Sequence, residues 1–335
     1  MLRRRDLGLS LAGGSLALLA TQAVAGPHGV MRDFALTSRY VPGQVDVSVY
    51  TPPQYATAKG LLPLVVLLHG GNGSSRDLSL YTAAIEHEMI SGRLMPMVIA
   101  MPSARRSLYM DFKDGSQRWE QFILDDLIPN LRRKLNIADK AEGTCLAGIS
   151  MGGLGALRIA FKHPHLFKAV AALEPAIEPA LSWTDVGPSV LFWRPESVLY
   201  PMFGNPIDLR FWQENNPATI AKSSPGKLLG LSIYFEVGDQ DMLHLYDGAE
   251  FLHRILYDAR IAHEFRLVHG AEHVGPSLLP RMIDALGFLQ RQLQPPAWIN
   301  DDVRAAQQAM DAQKRAIGLS PETPDLTRMK SAKPQ

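Results

Sequence analysis

Short apolar runs alternate with amphipathic stretches along most of this chain. Val45, Val47 and Val49 alternate with polar residues, which predicts a half-exposed strand. Leu61 to Leu68 is nearly continuous in apolar character and ends at His69-Gly70-Gly71. Four more runs follow: Met95 to Met101, Cys145 to Ile149, Ala169 to Leu173 and Leu231 to Val237. Runs this short suit strands covered on both faces, as in a parallel sheet. Between them, Phe122, Ile123, Leu127, Leu131 and Leu135 recur at helical spacing, with Pro129 placed to kink the helix. Ser150 to Phe161, Tyr246 to Ala259 and Pro276 to Leu293 also read as helices. The alternation predicts one α/β domain over residues 26–294: a mostly parallel, doubly wound sheet with helices on both faces. Ligands in such sheets gather at the carboxyl ends of the strands.

One segment departs from the rhythm. Residues 178–228, roughly fifty in all, are rich in Pro and aromatics, and a connection this long is functional or has structure of its own. It is expected to cap the site, with Trp183, Trp193 and Trp212 lining a substrate pocket. At the start, Arg3, Arg4 and Arg5 precede an apolar stretch to Ala20 and a small-residue Ala23-Val24-Ala25. This is the layout of a cleaved export signal over residues 1–25. The paired arginines resemble a twin-arginine signal, which places the mature protein in the periplasm or outside a bacterial cell. No stable membrane insertion is expected after cleavage, because no other stretch is long enough to span a bilayer. Residues 295–335 open on Pro295-Pro296 and continue as a polar, partly helical tail outside the core.

Composition adds exclusions. With 46% hydrophobic and 20% charged residues the chain has globular proportions, and a formal net charge of +1 argues against nucleic acid as a partner. A single cysteine, Cys145, rules out an internal disulfide framework and a multi-cysteine metal site.

The chemistry centres on Gly148-Ile149-Ser150-Met151-Gly152, a G-x-S-x-G pattern between a buried strand and a helix. That context is what a nucleophile elbow requires: the turn is so tight that glycines must flank the Ser. A serine hydroxyl needs a base to take its proton and an acid to orient that base, and in this arrangement the acid precedes the His in the chain. Asp239 and Asp241, just past an apolar strand, offer the acid. Of ten histidines, His273 is the expected base. His269 is assigned to the preceding strand, and His163 and His165 to structure. Backbone N–H groups aimed at the developing oxyanion are worth on the order of 3 kcal/mol each. Met151 supplies one, and Gly71, with Gly70 and Asn72 as neighbours, the other.

These residues resemble a known family. Leu67 to Gly71, Trp119 to Pro129, Gly148 to Gly153, His163 to Phe167, Gly238 to Asp241 and His273 are similar to the "putative esterase" group of α/β-hydrolases. That group includes esterase D-like S-formylglutathione hydrolases, feruloyl and acetylxylan esterases, and secreted mycolyltransferases. The resemblance spans roughly Gln44 to Leu293. It implies an α/β-hydrolase fold and ester hydrolysis through an acyl-enzyme, with no metal or organic cofactor. It also implies Asp241 as the acid, three residues after a strand-terminal Gly. Asp239 is then expected to bond its own turn, and Glu174 is the next candidate acid. The cysteines typical of S-formylglutathione hydrolases near the oxyanion loop are missing, so small-molecule or polysaccharide-linked acyl esters are the expected substrates. An acyltransferase using the same acyl-enzyme and a non-catalytic binding protein are the alternatives.

Overall fold

The computed structural model describes residues 28–319. The expected export signal and the end of the tail lie outside them. Eight strands form one sheet in the order β1-β2-β4-β3-β5-β6-β7-β8. The strands are β1 Val30–Thr37, β2 Gln44–Thr51, β3 Leu64–Leu68, β4 Val98–Pro102, β5 Thr144–Ile149, β6 Ala169–Leu173, β7 Ser232–Gly238 and β8 His263–Val268. β1 and β2 pair antiparallel, as do β2 and β4, and all other pairs are parallel.

Every residue of β3, β4, β5 and β6 is buried, which is why each reads as an unbroken apolar run. One core packs helices Leu78–Ile90 and Leu278–Leu293 on one face of the sheet. The other packs Met151–Lys162, Tyr246–Asp258 and the helical stretch from Trp119 to Lys134 on the opposite face.

Three expectations change. β2 is not half-exposed along its length: Ser48 and Tyr50 are buried too. The Tyr50 hydroxyl donates to Glu86 of helix Leu78–Ile90, which covers that face. At Pro129 the helix widens rather than merely kinking. Phe122–Leu127 is π-helical and passes into Ile128–Lys134, because Pro129 has no N–H to return to the preceding turn. β8 ends at Val268, so His269 lies in the turn beyond it, at Gly270 with φ 77°.

The segment between β6 and β7 folds as short helices, Pro188–Leu191, Glu196–Phe203, Leu209–Asn215 and Pro217–Ser223. It is tied to the elbow helix by buried Arg158. That side chain donates to the carbonyls of Asn215 and Leu108, both at 2.6 Å. Burial without a bonded carboxylate pushes its guanidinium down to about 10. In the tail, helix Asp301–Ala316 has no buried residue and is capped by the Asn300 side chain, which accepts from the Val303 N–H at 2.9 Å. Among the described residues, no helix is long and apolar enough to cross a membrane.

Candidate active site

The site is built on the end of β5. Ser150 has φ 55° and ψ −114°, a left-handed conformation that costs a non-glycine residue energy and turns its side chain out of the sheet. The bend is held by three backbone bonds: the Ser150 N–H donates to Leu173, and its carbonyl accepts from Leu154 and Ala176. A Cβ on Gly148 would collide with the Gly152 carbonyl, and one on Gly152 with the Leu68 carbonyl. The glycines of the motif therefore let β5, β3 and the elbow helix approach closely enough to leave Ser150 at the surface of the turn.

His273 comes from the loop after β8. Its Nε2 lies 3.1 Å from Ser150 Oγ and its Nδ1 lies 3.0 Å from Asp241 Oδ2. The loop carrying Asp241 packs on the loop carrying His273: the Gln240 N–H donates to the Ala271 carbonyl at 2.9 Å, and Gly238 leaves no room for a Cβ beneath it. Arg281 clamps the His273 loop from helix Leu278–Leu293, donating to the Glu272 and His273 carbonyls. Asp241 also accepts from the Leu243 N–H at 2.7 Å. Burial pushes the Asp241 carboxyl up. The hydrogen bond and charge of His273, the Leu243 N–H and the nearby Glu174 carboxyl outweigh it and hold Asp241 below the usual carboxylate range.

The chain after β3 faces this group. His69 is buried, and its Nδ1 lies 2.7 Å from the Gly70 carbonyl while Nε2 accepts from the Ala104 N–H at 2.9 Å. Nδ1 must therefore carry the proton, and burial holds the ring neutral by lowering its pKa. The loop Gly70-Gly71-Asn72 is thereby pinned from below, while Arg106 holds it from outside through the Gly71 carbonyl and Asn72 Oδ1. Gly70 lies beside the nucleophile, with room for a Cβ 3.8 Å from that of Ser150. Gly71 and Met151 line the same cleft, and among the described residues neither N–H has an intramolecular acceptor.

The cleft holds about 720 Å³ and is lined by Ser150 and His273 together with Leu80, Tyr81, Met101, Trp193, Val198, Leu243 and Val274. Of the three tryptophans expected there, only Trp193 reaches it. Trp183 and Trp212 are buried and pack edge to face at 5.8 Å, with Trp183 Nε1 donating to Glu196. They form the core of the segment between β6 and β7 because their large rings fill its interior. Asp239 bonds its own turn through the Gln240 side chain, which donates to Oδ1 at 3.1 Å, and also reaches beyond it. It accepts from Gly270 N–H and pairs with His269 Nδ1, both at 2.7 Å, joining the end of β7 to the end of β8.

Sequence reasoning missed a buried ionic cluster beneath the triad. Glu174, Glu236 and Arg281 are each at most 4% exposed, and Arg281 Nη1 bonds both carboxylates. Burial raises the Glu174 carboxyl to about 8 and Glu236 to about 7. Glu236 was detectable as the one charge inside an apolar strand. Glu174, Asp241 and His273 are the one group of three possible metal ligands among the described residues. Both His273 nitrogens are already engaged, by Ser150 and Asp241.

A family described as "Putative esterase" matches residues 38–278. Esterase Rv1288 of Mycobacterium tuberculosis is 26% identical over 155 residues, which cover 43% of this chain and 33% of that protein. An acetyl esterase of Caldicellulosiruptor saccharolyticus is 30% identical over 116 residues, covering 35% of this chain and 42% of the relative. The chain thus spans well under half the length of these curated relatives. A solved ferulic acid esterase superposes with a TM-score of 0.66 at 19% identity, covering 79% of this chain and 99% of that one. The fold is that of the α/β-hydrolases. With the match running from β2 through the elbow to the loop that carries His273, the chain belongs to the "Putative esterase" family.

Proposed function

We propose that this chain is a serine esterase that hydrolyses carboxylic esters through an acyl-enzyme. One observation carries the reading: an unbroken hydrogen-bonded line from Ser150 through His273 to Asp241 at the floor of an open cleft. Ser150 Oγ attacks the ester carbonyl as His273 Nε2 takes its proton. The Asp241 carboxylate keeps Nδ1 protonated and stabilises the imidazolium. The Gly71 and Met151 N–H groups receive the oxyanion. His273 then returns the proton to the departing alcohol, and water, activated by the same imidazole, releases the acid.

The cleft's apolar wall of Leu80, Met101, Trp193, Val198 and Val274 suits an ester with a sizeable apolar or aromatic group. Acyl esters on carbohydrates fit an exported enzyme, and the acetyl esterase among the relatives is named for a carboxylic ester substrate. The arginine-rich, small-residue-terminated N-terminus supports export to the periplasm or beyond. Labelling with a fluorophosphonate tests the first step: one adduct on Ser150 is expected, and no adduct overturns the reading. A panel of p-nitrophenyl acyl esters and feruloyl and acetyl sugars then ranks the substrates. Turnover confined to thioesters or amides would refute the proposed class.

A further inference from the structure

Glu174 stands where β6 ends, fully buried, at φ 48°. Its two carboxyl oxygens have different surroundings. Oε1 accepts from the Gly238 N–H at 3.0 Å and from Arg281 Nη1. Among the described residues Oε2 has no hydrogen-bond partner. The donor beside it is His273 Nδ1, 3.9 Å away, whose proton is committed to Asp241. One oxygen of Glu174, one of Asp241 and a ring nitrogen of His273 lie within 4.8 Å of one another. A buried oxygen set against another acceptor gains a hydrogen bond in one way, by carrying a proton itself.

Charge leads to the same place. β7 brings Glu236, the loop after β7 brings Asp241, and helix Leu278–Leu293 brings Arg281. The loop after β8 brings His273 and Glu272, but the Glu272 side chain turns away to the Ser277 N–H. Three buried carboxyls thus share one permanent cation, and like charges so close cannot all ionise. Asp241 is held low by its donors, whereas burial raises Glu174 to about 8. Nor is Glu174 needed merely to neutralise Arg281, which also has Glu236 at 3.1 Å and the Glu272 carbonyl at 2.7 Å.

We propose that Glu174 is a positioning residue: a neutral acid whose Oε2–H donates to the Asp241 carboxylate and fixes it under His273. The proton stays on Glu174 through turnover, and no bond to substrate is made. The second carboxyl thus braces the triad acid instead of repelling it. Ionisation of Glu174 would remove the hydrogen bond and set two buried anions side by side. This inference rests on the reading of Ser150 as an esterase nucleophile.

The test is kcat and KM for one p-nitrophenyl ester from pH 5 to 10, with wild type, Glu174→Ala, Glu174→Gln and Ser150→Ala. In wild type, kcat is expected to fall above about pH 8 as Glu174 loses its proton. At pH 7, Glu174→Ala should lower kcat about tenfold with KM within twofold, roughly the loss expected for one charge-assisted hydrogen bond. Glu174→Gln, whose amide donates to Asp241 and cannot ionise, should recover most of that loss and hold its kcat to pH 9. A wild-type kcat flat to pH 10 overturns the proposal, as does Glu174→Gln sharing the wild-type alkaline fall. If Glu174→Ala does not fold, the wild-type and Gln profiles decide alone. If wild type hydrolyses no ester, or Ser150→Ala still does, the esterase reading has failed and this one falls with it. When wild type is active and Ser150→Ala is silent, the pH profiles bear on Glu174 alone.

Discussion

Two aspartate–histidine pairs lie at the same end of the sheet, each spanning the loops after β7 and β8. Asp241 and His273 are 32 residues apart and meet at 3.0 Å; Asp239 and His269 are 30 apart and meet at 2.7 Å. The second pair is the shorter, yet it has none of the features of a catalytic dyad. Its histidine side chain is 96% exposed, against 9% for His273, and among the described residues no hydroxyl bonds its other ring nitrogen. Water screens an exposed pair and competes for both partners, so it contributes little. The buried pair has a fixed geometry, a low-dielectric surrounding and Ser150 in line. Distance alone does not make a base; a third partner and dry walls do.

The strongest way to break this contrast is to remove each histidine. His273→Ala should lower kcat by about 10⁴- to 10⁶-fold, the scale set by loss of a triad base, while His269→Ala stays within about twofold of wild type. Steady-state hydrolysis of a p-nitrophenyl ester measures both. Equal losses would mean that the exposed pair takes part. The acids come next. Asp241→Asn should cost about 10²- to 10⁴-fold in kcat by permitting the wrong imidazole tautomer. Asp239→Asn should leave kcat unchanged and lower the thermal midpoint slightly. A reversal of the two would move the acid by two residues; full activity in both would pass the role to Glu174.

The contrast between packed and exposed neighbours extends to the segment between β6 and β7. Trp212→Ala should destabilise by about 3–5 kcal/mol in a denaturant titration, as expected for a large buried aromatic. Trp193→Ala should spare stability and shift KM among acyl chains several-fold. If Trp193→Ala leaves the ranking of esters untouched, it is not part of the substrate wall.

The smallest effect is in the pH dependence of stability, where Glu174, beside the buried pair, and Asp239, within the exposed one, have opposite signs. Glu174 is raised from 4.5 to about 8 in the folded protein by burial, so the folded state holds the extra proton between those values. Stability from this group therefore falls as pH rises across that window. The thermal midpoint of Glu174→Gln relative to wild type should increase from pH 5 to pH 8. Asp239 is held below 3.8, chiefly by its bond to His269. Its contribution is present above pH 3.8, disappears as pH falls through the depressed value, and weakens with added salt. A midpoint difference for Glu174→Gln that is constant from pH 5 to 8 would place its carboxyl in the ordinary range.

The sequence made the nucleophile readable because Ser150 sits at the carboxyl end of β5, which is buried on both faces, and such strands announce themselves as apolar runs. His273 follows β8, a half-buried edge strand, and was readable from its place in the chain after the Ser and the Asp. The edge was harder. β1, VMRDFALT, mixes charges and apolar residues because it borders the sheet and is exposed at most positions. The tryptophans misled because aromatic density is the same signal whether rings fill a core or line a wall. Glu174, Glu236 and Arg281 meet only in three dimensions, through a parallel pairing of β6 with β7 and a helix laid across them. No local pattern encodes that convergence. The choice between Asp239 and Asp241 turned on loop geometry that two residues of sequence cannot hold.

Arg158 bears on the timing of turnover. By bonding Asn215 in the segment between β6 and β7 and Leu108 beside the cleft from one buried guanidinium, it fastens both to the helix that begins at the nucleophile. Such a tether opposes a swinging motion of this segment. With the cleft already open, substrate entry is expected to need no conformational gate. Progress curves should therefore start without a lag, and velocity should follow dissolved substrate smoothly, with no jump when an emulsion forms.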